Sequence, residues 1–247
     1  MLSKRDQSES AGQQVEGEAT LTLLPPFAVA HLIQEAHRNQ SGFALIRRGD
    51  GELLTLAQDN VLTISEVIAA GGHFLPYAGV NVPDLQARDR VLSAVFAADL
   101  VGVPESQHVH FQPLFQRIAK YYHIPLQAIL FTSSLVNYDL ETSTNIYQEL
   151  LAEGNVVLVG NRTPELKKQL EDAGYPPVVG TVPVAGVQAV DAVLQQLSQI
   201  KFEVAFVSAG IAATILCAEL KRWGKIALDF GHLADLLIQE KRDFRRL

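Results

Sequence analysis

Short apolar runs alternate with helical segments at a near-constant spacing in the second half of this chain, and that alternation constrains the fold more than any other feature. Val156–Val159, Val178–Val182, Val204–Val207 and Ile226–Leu228 are each bounded by glycine or polar residues. Between them lie Glu165–Ala173, Val187–Leu197 and Ala212–Arg222, whose apolar residues recur every three or four positions. Strand, helix, strand repeated at a period of about 20–25 residues leaves room for a crossover helix and so requires parallel pairing. The first half is less regular but follows the same plan. Strands are expected at 43–47, Leu100–Val103 and Leu126–Phe131, with helices at Phe27–Arg38, Leu53–Leu56, Thr63–Ala70, Leu85–Ala98, Phe111–Tyr122 and Asn145–Ala152. The sum is an α/β fold: a three-layer, Rossmann-like, mostly parallel sheet of about seven strands with helices on both faces.

Residues 1–20 are polar and rich in Ser, Gln, Glu and Gly, and read as a disordered leader. Residues 21–247 carry no linker and no internal repeat, and read as one domain. Hydrophobic residues make up 48% of the chain, enough for a large core, and a net charge of −7 argues against a general nucleic-acid or anionic-membrane binder. The basic run Lys241-Arg242-Asp243-Phe244-Arg245-Arg246 reads as a solvated helix end. One cysteine, Cys217 in an apolar run, rules out an internal disulfide and a thiolate zinc cluster. No apolar stretch is long enough for a membrane span, and a cytoplasmic location is expected.

In a parallel sheet every strand ends on the same edge, and ligands bind there. Four strand ends carry polar or glycine-containing turns. The first is Arg47-Arg48-Gly49-Asp50-Gly51-Glu52. In an extended turn, Asp50 and Glu52 would face the same way and hold a hard divalent cation, Mg²⁺ or Mn²⁺, with substrate phosphates completing its shell. The alternative is an Asp-Gly turn with an acidic helix start. Of the two arginines, one should point to the ligand edge and the other away, as a phosphate ligand or as an ion-pair partner.

The second turn, Gly160-Asn161-Arg162-Thr163-Pro164, is either an ordinary helix start or an anion site at a helix N-terminus, and Ser208-Ala209-Gly210 has the same two readings. The fourth, Asp229-Phe230-Gly231-His232, offers a histidine suited to metal, phosphate or proton transfer, and an aspartate that can cap the last helix. His108 and His110 are a weaker metal pair. Neither G-x-G-x-x-G nor a Walker A motif occurs, which disfavours dinucleotide dehydrogenases and P-loop NTPases.

Taken together, Ile46-Arg47-Arg48-Gly49-Asp50-Gly51-Glu52 resembles the R-x-G-D-G-E signature of the GT-D-type glycosyltransferases, a family formerly known as a domain of unknown function. Val156–Gly160, the Ala205–Gly210 segment with Ala213 and Leu216, and Ala227-Leu228-Asp229-Phe230-Gly231-His232 resemble later segments of that family, so the likeness runs from about residue 41 to 240. The chain departs from the pattern at Arg48, where members carry an aromatic or aliphatic residue, and at Ala209-Gly210-Ile211-Ala212, where many have G-P-x-A.

The resemblance implies metal-dependent transfer of a sugar from a nucleotide-diphosphate sugar, UDP-linked in the first instance, to a glycan, glycoprotein or small-molecule acceptor. It places the metal on Asp50, Glu52 and His232. It places the nucleotide on Arg47, Gly49, Asp50, Gly160, Asn161, Ser208 and Gly210, and the catalytic groups at Asp229 and His232, with Glu66 and the loops 75–84 and 133–145 as further sources of a base. The alternatives are a non-catalytic binding or scaffold domain of the same fold, and a metal-dependent phosphoesterase. Apolar residues at 60–80 would line an acceptor cleft or a homodimer contact.

Overall fold

A computed structural model describes residues 21–105 and 111–244. The polar leader, His108, His110 and the last three residues lie outside the described residues. Among the described residues eight strands form one all-parallel sheet in the order β1-β4-β3-β2-β8-β7-β5-β6. They are β1 (Leu23–Leu24), β2 (Phe43–Arg47), β3 (Leu100–Val103), β4 (Leu130–Ser133), β5 (Val156–Gly160), β6 (Gly180–Val182), β7 (Val204–Ser208) and β8 (Ile226–Asp229). Register runs straight through the centre. Leu45 aligns with Leu100 on one side and Leu228 on the other, and Phe206 aligns with Leu228.

Alternation along each strand feeds two cores. In β2, Ala44 and Ile46 enter one core while Phe43 and Leu45 enter the other; in β7, Ala205 and Val207 part from Val204 and Phe206 in the same way. The first core is covered by α2 (Asp50–Ala57), α3 (Ile64–Gly71), α4 (Leu85–Ala97), α5 (Gln112–Tyr121), α9 (Val190–Leu197) and α10 (Ile211–Arg222). The second is covered by α1 (Pro26–Arg38), α6 (Val136–Ser143), α7 (Ile146–Glu153), α8 (Thr163–Asp172) and α11 (Leu233–Glu240). Because both faces are covered, central strands such as Val156–Gly160 are apolar without a break. Inside the second core Tyr147 meets Phe206 and Phe230 edge-on, with ring centroids 5.3 and 5.1 Å away.

Three expectations change. The sheet has an eighth strand, β1, only two residues long, paired with β4. β4 starts at Leu130 rather than Leu126, because Pro125 opens a turn that Ala128 N–H closes on the Pro125 carbonyl. The segment 133–145, read as a loop, contains α6, whose buried positions Val136, Asn137 and Leu140 include a polar residue and so hide its periodicity.

The chain leaves β2 toward β3 and β4 on one side, then crosses to β5 and β6 and returns inward through β7 to β8. β2 and β8 are therefore neighbours whose following helices, α2 and α11, lie on opposite faces of the sheet. A crevice opens beyond their carboxyl ends at such a switch point.

Candidate functional site

A cleft of about 830 Å³ occupies that crevice. Its floor carries Arg47, Asp50 and Glu52 from the end of β2, Ser208 from β7, and Asp229 and His232 from β8 and the turn after it. Gly49, Asn161 and Gly210 also line it, while Glu66 and Gly160 do not. All four glycine-containing strand ends thus converge on one site, though not with the roles first expected of each.

The Asp50–Glu52 pair differs in geometry from its expectation. Helix α2 already begins at Asp50, so the two carboxylates sit in the first turn of a helix, where positions two apart face away from each other. The extended turn that would have aimed them in parallel is absent. Gly49, the residue before the helix, has no side chain to cap it, and Glu52 folds back so that its Oε2 accepts from Gly49 N–H at 2.9 Å. Asp50 Oδ1 accepts from Gly51 N–H at 2.9 Å. One oxygen of each carboxylate is therefore engaged by the helix start. Burial, then the negative charge of Asp229, push the Glu52 carboxyl up to about 7. Such a group gains most from a cation placed beside it.

Strand parity separates the two arginines. Arg47 follows Phe43 and Leu45 toward β8 and α6. Its Nη2 and main-chain N–H donate to the Asp229 carboxylate at 3.1 and 3.2 Å, and its Nη1 donates to Ser134 O and Asn137 Oδ1 at 2.9 and 3.0 Å. Burial draws the guanidinium down, but Asp229 more than offsets this and holds it above its ordinary value. Gly231 makes room for the pair. It has φ +54°, and a Cβ there would lie 1.8 Å from Arg47 Nη2. Asp229, expected as a catalytic group, accepts from Arg47 on both oxygens and from Gly231 N–H on one. In this arrangement it positions Arg47.

Arg48 follows Ala44 and Ile46 to the other face. It is fully buried, its guanidinium carbon lies 4.6 Å from the Phe115 ring centre, and among the described residues none of its three side-chain nitrogens has a hydrogen-bond partner. Burial brings it down to about 9, only partly opposed by Glu52. Nothing in the motif signals this cost, since an arginine beside a strand end ordinarily reaches water.

His232 is well exposed, with Nδ1 3.0 Å from Asp235 Oδ2. Asp235 also accepts from Arg162 Nη1 at 3.3 Å, and Arg162 forks onto both oxygens of Glu165. Asp235 was missed in the sequence, although an acid three residues after a histidine at a helix start is a visible spacing. Asn137 was missed because α6 was. Among the described residues no three His, Cys, Asp or Glu side chains cluster as a metal cage. His232 and the two carboxylates line the same cleft without forming one.

The two expected anion sites at helix N-termini are partly occupied. Ile211 N–H, the first of α10, donates to Ala78 O at 3.2 Å, and a Cβ on Gly210 (φ +54°) would lie 2.7 Å from the same carbonyl. Asn161 Oδ1 accepts from Val184 N–H at 3.0 Å. Gly160 brings strands together rather than admitting a ligand, since a Cβ there would lie 2.2 Å from Ser208 O.

Comparison with known proteins agrees with this architecture. Three solved structures of domain of unknown function 1792 are similar. One described as having a distinct glycosyltransferase fold is 16% identical, with a TM-score of 0.56 over 90% of this chain and 83% of that one. A selenomethionine form is 15% identical, with a TM-score of 0.55 over the same shares. One described as a new glycosyltransferase from Streptococcus sanguinis is 14% identical, with a TM-score of 0.51 over 90% and 86%. No curated protein matches the sequence. The model of the GT-D-like family, a GT-D fold-like domain, matches residues 24–237, from the last residue of β1 into α11, and the chain belongs to that family.

Proposed function

We propose that this protein is a glycosyltransferase that takes a sugar from a nucleoside-diphosphate sugar, UDP-linked in the first instance, and passes it to an acceptor in the same cleft. One observation carries the reading. The β2–β8 switch point gathers Arg47, Asp50, Glu52 and His232 into one cleft whose volume suits a nucleotide sugar. The family membership and the descriptions of its structural relatives support it.

The donor set suits a hard divalent ion such as Mn²⁺ or Mg²⁺. Asp50 and Glu52 both line the cleft, and one of them would hold the ion through the carboxylate oxygen that the helix start leaves free, with the donor diphosphate supplying further oxygens and the other carboxylate left to the ribose hydroxyls. Such an ion, when bound, neutralises charge on the departing nucleotide. The chain's own residues do the rest. Arg47, fixed by Asp229 and Asn137, sets a permanent positive charge on the floor without needing to be ordered by the ligand. His232, oriented by Asp235, can donate to phosphate or hold a proton at Nε2.

No helix of the described residues is long and apolar enough to cross a membrane. We place the reaction in the cytoplasm, in keeping with a lone, buried and unbridged Cys217. Calorimetric titration with UDP, with and without Mn²⁺, tests the reading. Metal-dependent binding that is lost in Asp50→Ala and Glu52→Ala is expected. Absence of binding to UDP and to other nucleoside diphosphates would refute it. A second reading, a nucleotide-sugar-binding module without transfer, is favoured by the engagement of Asp229 with Arg47. It predicts donor binding with no release of sugar to any acceptor.

A further inference from the structure

Among the described residues Arg48 is the largest side chain that is fully enclosed, and none of its N–H donors meets an acceptor. A fold shaped for stability alone would carry an apolar residue there, because a ring face returns only part of what a guanidinium loses on leaving water. The charge itself persists at neutral pH, since burial draws the group no lower than about 9. A buried cation that binds nothing has one property left to act with, its field.

Its neighbours set what that field acts on. Arg47 and Gly49, on either side of Arg48, both line the cleft, while the Arg48 side chain runs to the core of the other sheet face and packs against Phe115. Glu52 Oε2 accepts from Gly49 N–H at 2.9 Å, and a Cβ on Gly49 would lie 3.4 Å from the same oxygen. The Glu52 carboxylate is thereby held against the residue next to Arg48, and it is the charge that offsets the burial of Arg48. Arg47 is already matched by Asp229. That leaves the carboxylates of Asp50 and Glu52 in front, on the cleft, with the guanidinium of Arg48 behind them. Two carboxylates alone attract a free divalent cation and repel a diphosphate. A fixed cation behind them opposes both effects, and away from water its field is little screened. We propose that Arg48 is a specificity-determining residue of this cleft, a buried counter-cation that weakens its hold on the bare metal ion and strengthens its hold on the diphosphate, so that the nucleotide binds first and the metal ion follows. Arg48 touches neither ligand and acts through its charge. The inference rests on the nucleotide-sugar reading of the same cleft and adds to it the order in which the ligands bind. It also accounts for a buried charge that the fold itself does not need.

The test uses the full chain as wild type, Arg48→Met and Arg48→Leu. Mn²⁺ alone is titrated and followed by the electron paramagnetic resonance of the free ion, and UDP is titrated calorimetrically with and without Mn²⁺. Both variants put an apolar side chain against Phe115, and melting temperatures check that they fold. UDP without metal should bind wild type measurably, and Mn²⁺ should tighten it. In each variant the affinity for Mn²⁺ alone should rise about threefold to thirtyfold, and that for metal-free UDP should fall by a similar factor. A loosened fold would weaken both, so the opposite signs separate an effect of charge from one of structure. Either affinity unchanged to within about twofold, both moving in the same direction, or no metal-free UDP binding to wild type overturns the proposal. Failure of UDP to bind wild type even with Mn²⁺ would strike the nucleotide-sugar reading, and the proposal with it, so the two failures are distinguishable.

Discussion

Gly231→Ala should destabilise the protein far more than a surface glycine substitution does, and the reason lies in one side chain. Two costs add. The first is backbone. At φ +54° an alanine is strained by about 1 kcal/mol relative to glycine. The second is the new methyl, placed 1.8 Å from Arg47 Nη2. A free arginine would swing away at little cost. Arg47 cannot, because its guanidinium is held by Asp229, Ser134 and Asn137. If it withdraws, Asp229, whose side chain is 4% exposed, loses its counter-charge. Stranding one partner of a buried pair costs about 3–5 kcal/mol. The sum is about 4–6 kcal/mol, a large part of the roughly 5–15 kcal/mol that hold an ordinary domain together. Equilibrium denaturation in guanidinium chloride, followed by circular dichroism, reads it directly. A double-mutant cycle isolates the cause. In an Arg47→Ala background the clash is gone, and Gly231→Ala should cost only the backbone share of about 1 kcal/mol. A single-variant cost near 1 kcal/mol, or an equal cost in both backgrounds, would refute the role given to Gly231.

Glu52 should make stability fall as pH rises. Its folded carboxyl titrates near 7, above the ordinary value of about 4.3, so the folded state binds more protons than the unfolded one. The stabilisation is complete below the unfolded value and lost as pH rises through about 7. It amounts to about 1–3 kcal/mol, allowing for partial solvent access. Gln at this position keeps an acceptor for Gly49 N–H, and Glu52→Gln should flatten that part of the stability-against-pH curve; a wild-type-minus-variant difference independent of pH between 5 and 8 would count against it. Mn²⁺ binding, which competes with the same proton, should tighten over that interval in calorimetry and lose this dependence in Glu52→Gln. Arg48→Met should raise stability by about 1–3 kcal/mol in denaturant titration, since it removes a buried guanidinium without hydrogen bonds while keeping contact with Phe115. A loss of similar size would mean that the guanidinium has a role the static contacts do not show.

The fold was legible where burial on both faces made strands apolar without interruption. β3, β5, β7 and β8 fall within a residue of their expected ends, because Gly, Pro or Asp closes each of them sharply. Legibility failed where tertiary pairing overrides local pattern. Leu23–Leu24 becomes a strand only because β4 lies beside it, and α6 buries an asparagine to reach Arg47. The site divides along the same line. That Asp50, Glu52, Ser208 and His232 share a cleft follows from parallel topology alone, since every strand ends on the same edge. What each one does there depends on where helices begin. Moving the start of α2 three residues toward the N-terminus, from Leu53 to Asp50, turns an expected pair of parallel carboxylates into a helix cap and a first-turn acid. The motif glycines show the same dependence. Gly160 lets β5 approach β7, Gly210 lets α10 take the Ala78 carbonyl, and Gly231 lets Arg47 lie against Asp229. Each looks in sequence like room made for a ligand, and each is filled by the protein itself. The cleft that remains beside the motif residues is walled in part by residues no motif marked, Tyr77 and Asn81 among them, and their exposure there is a property only the packed chain can express.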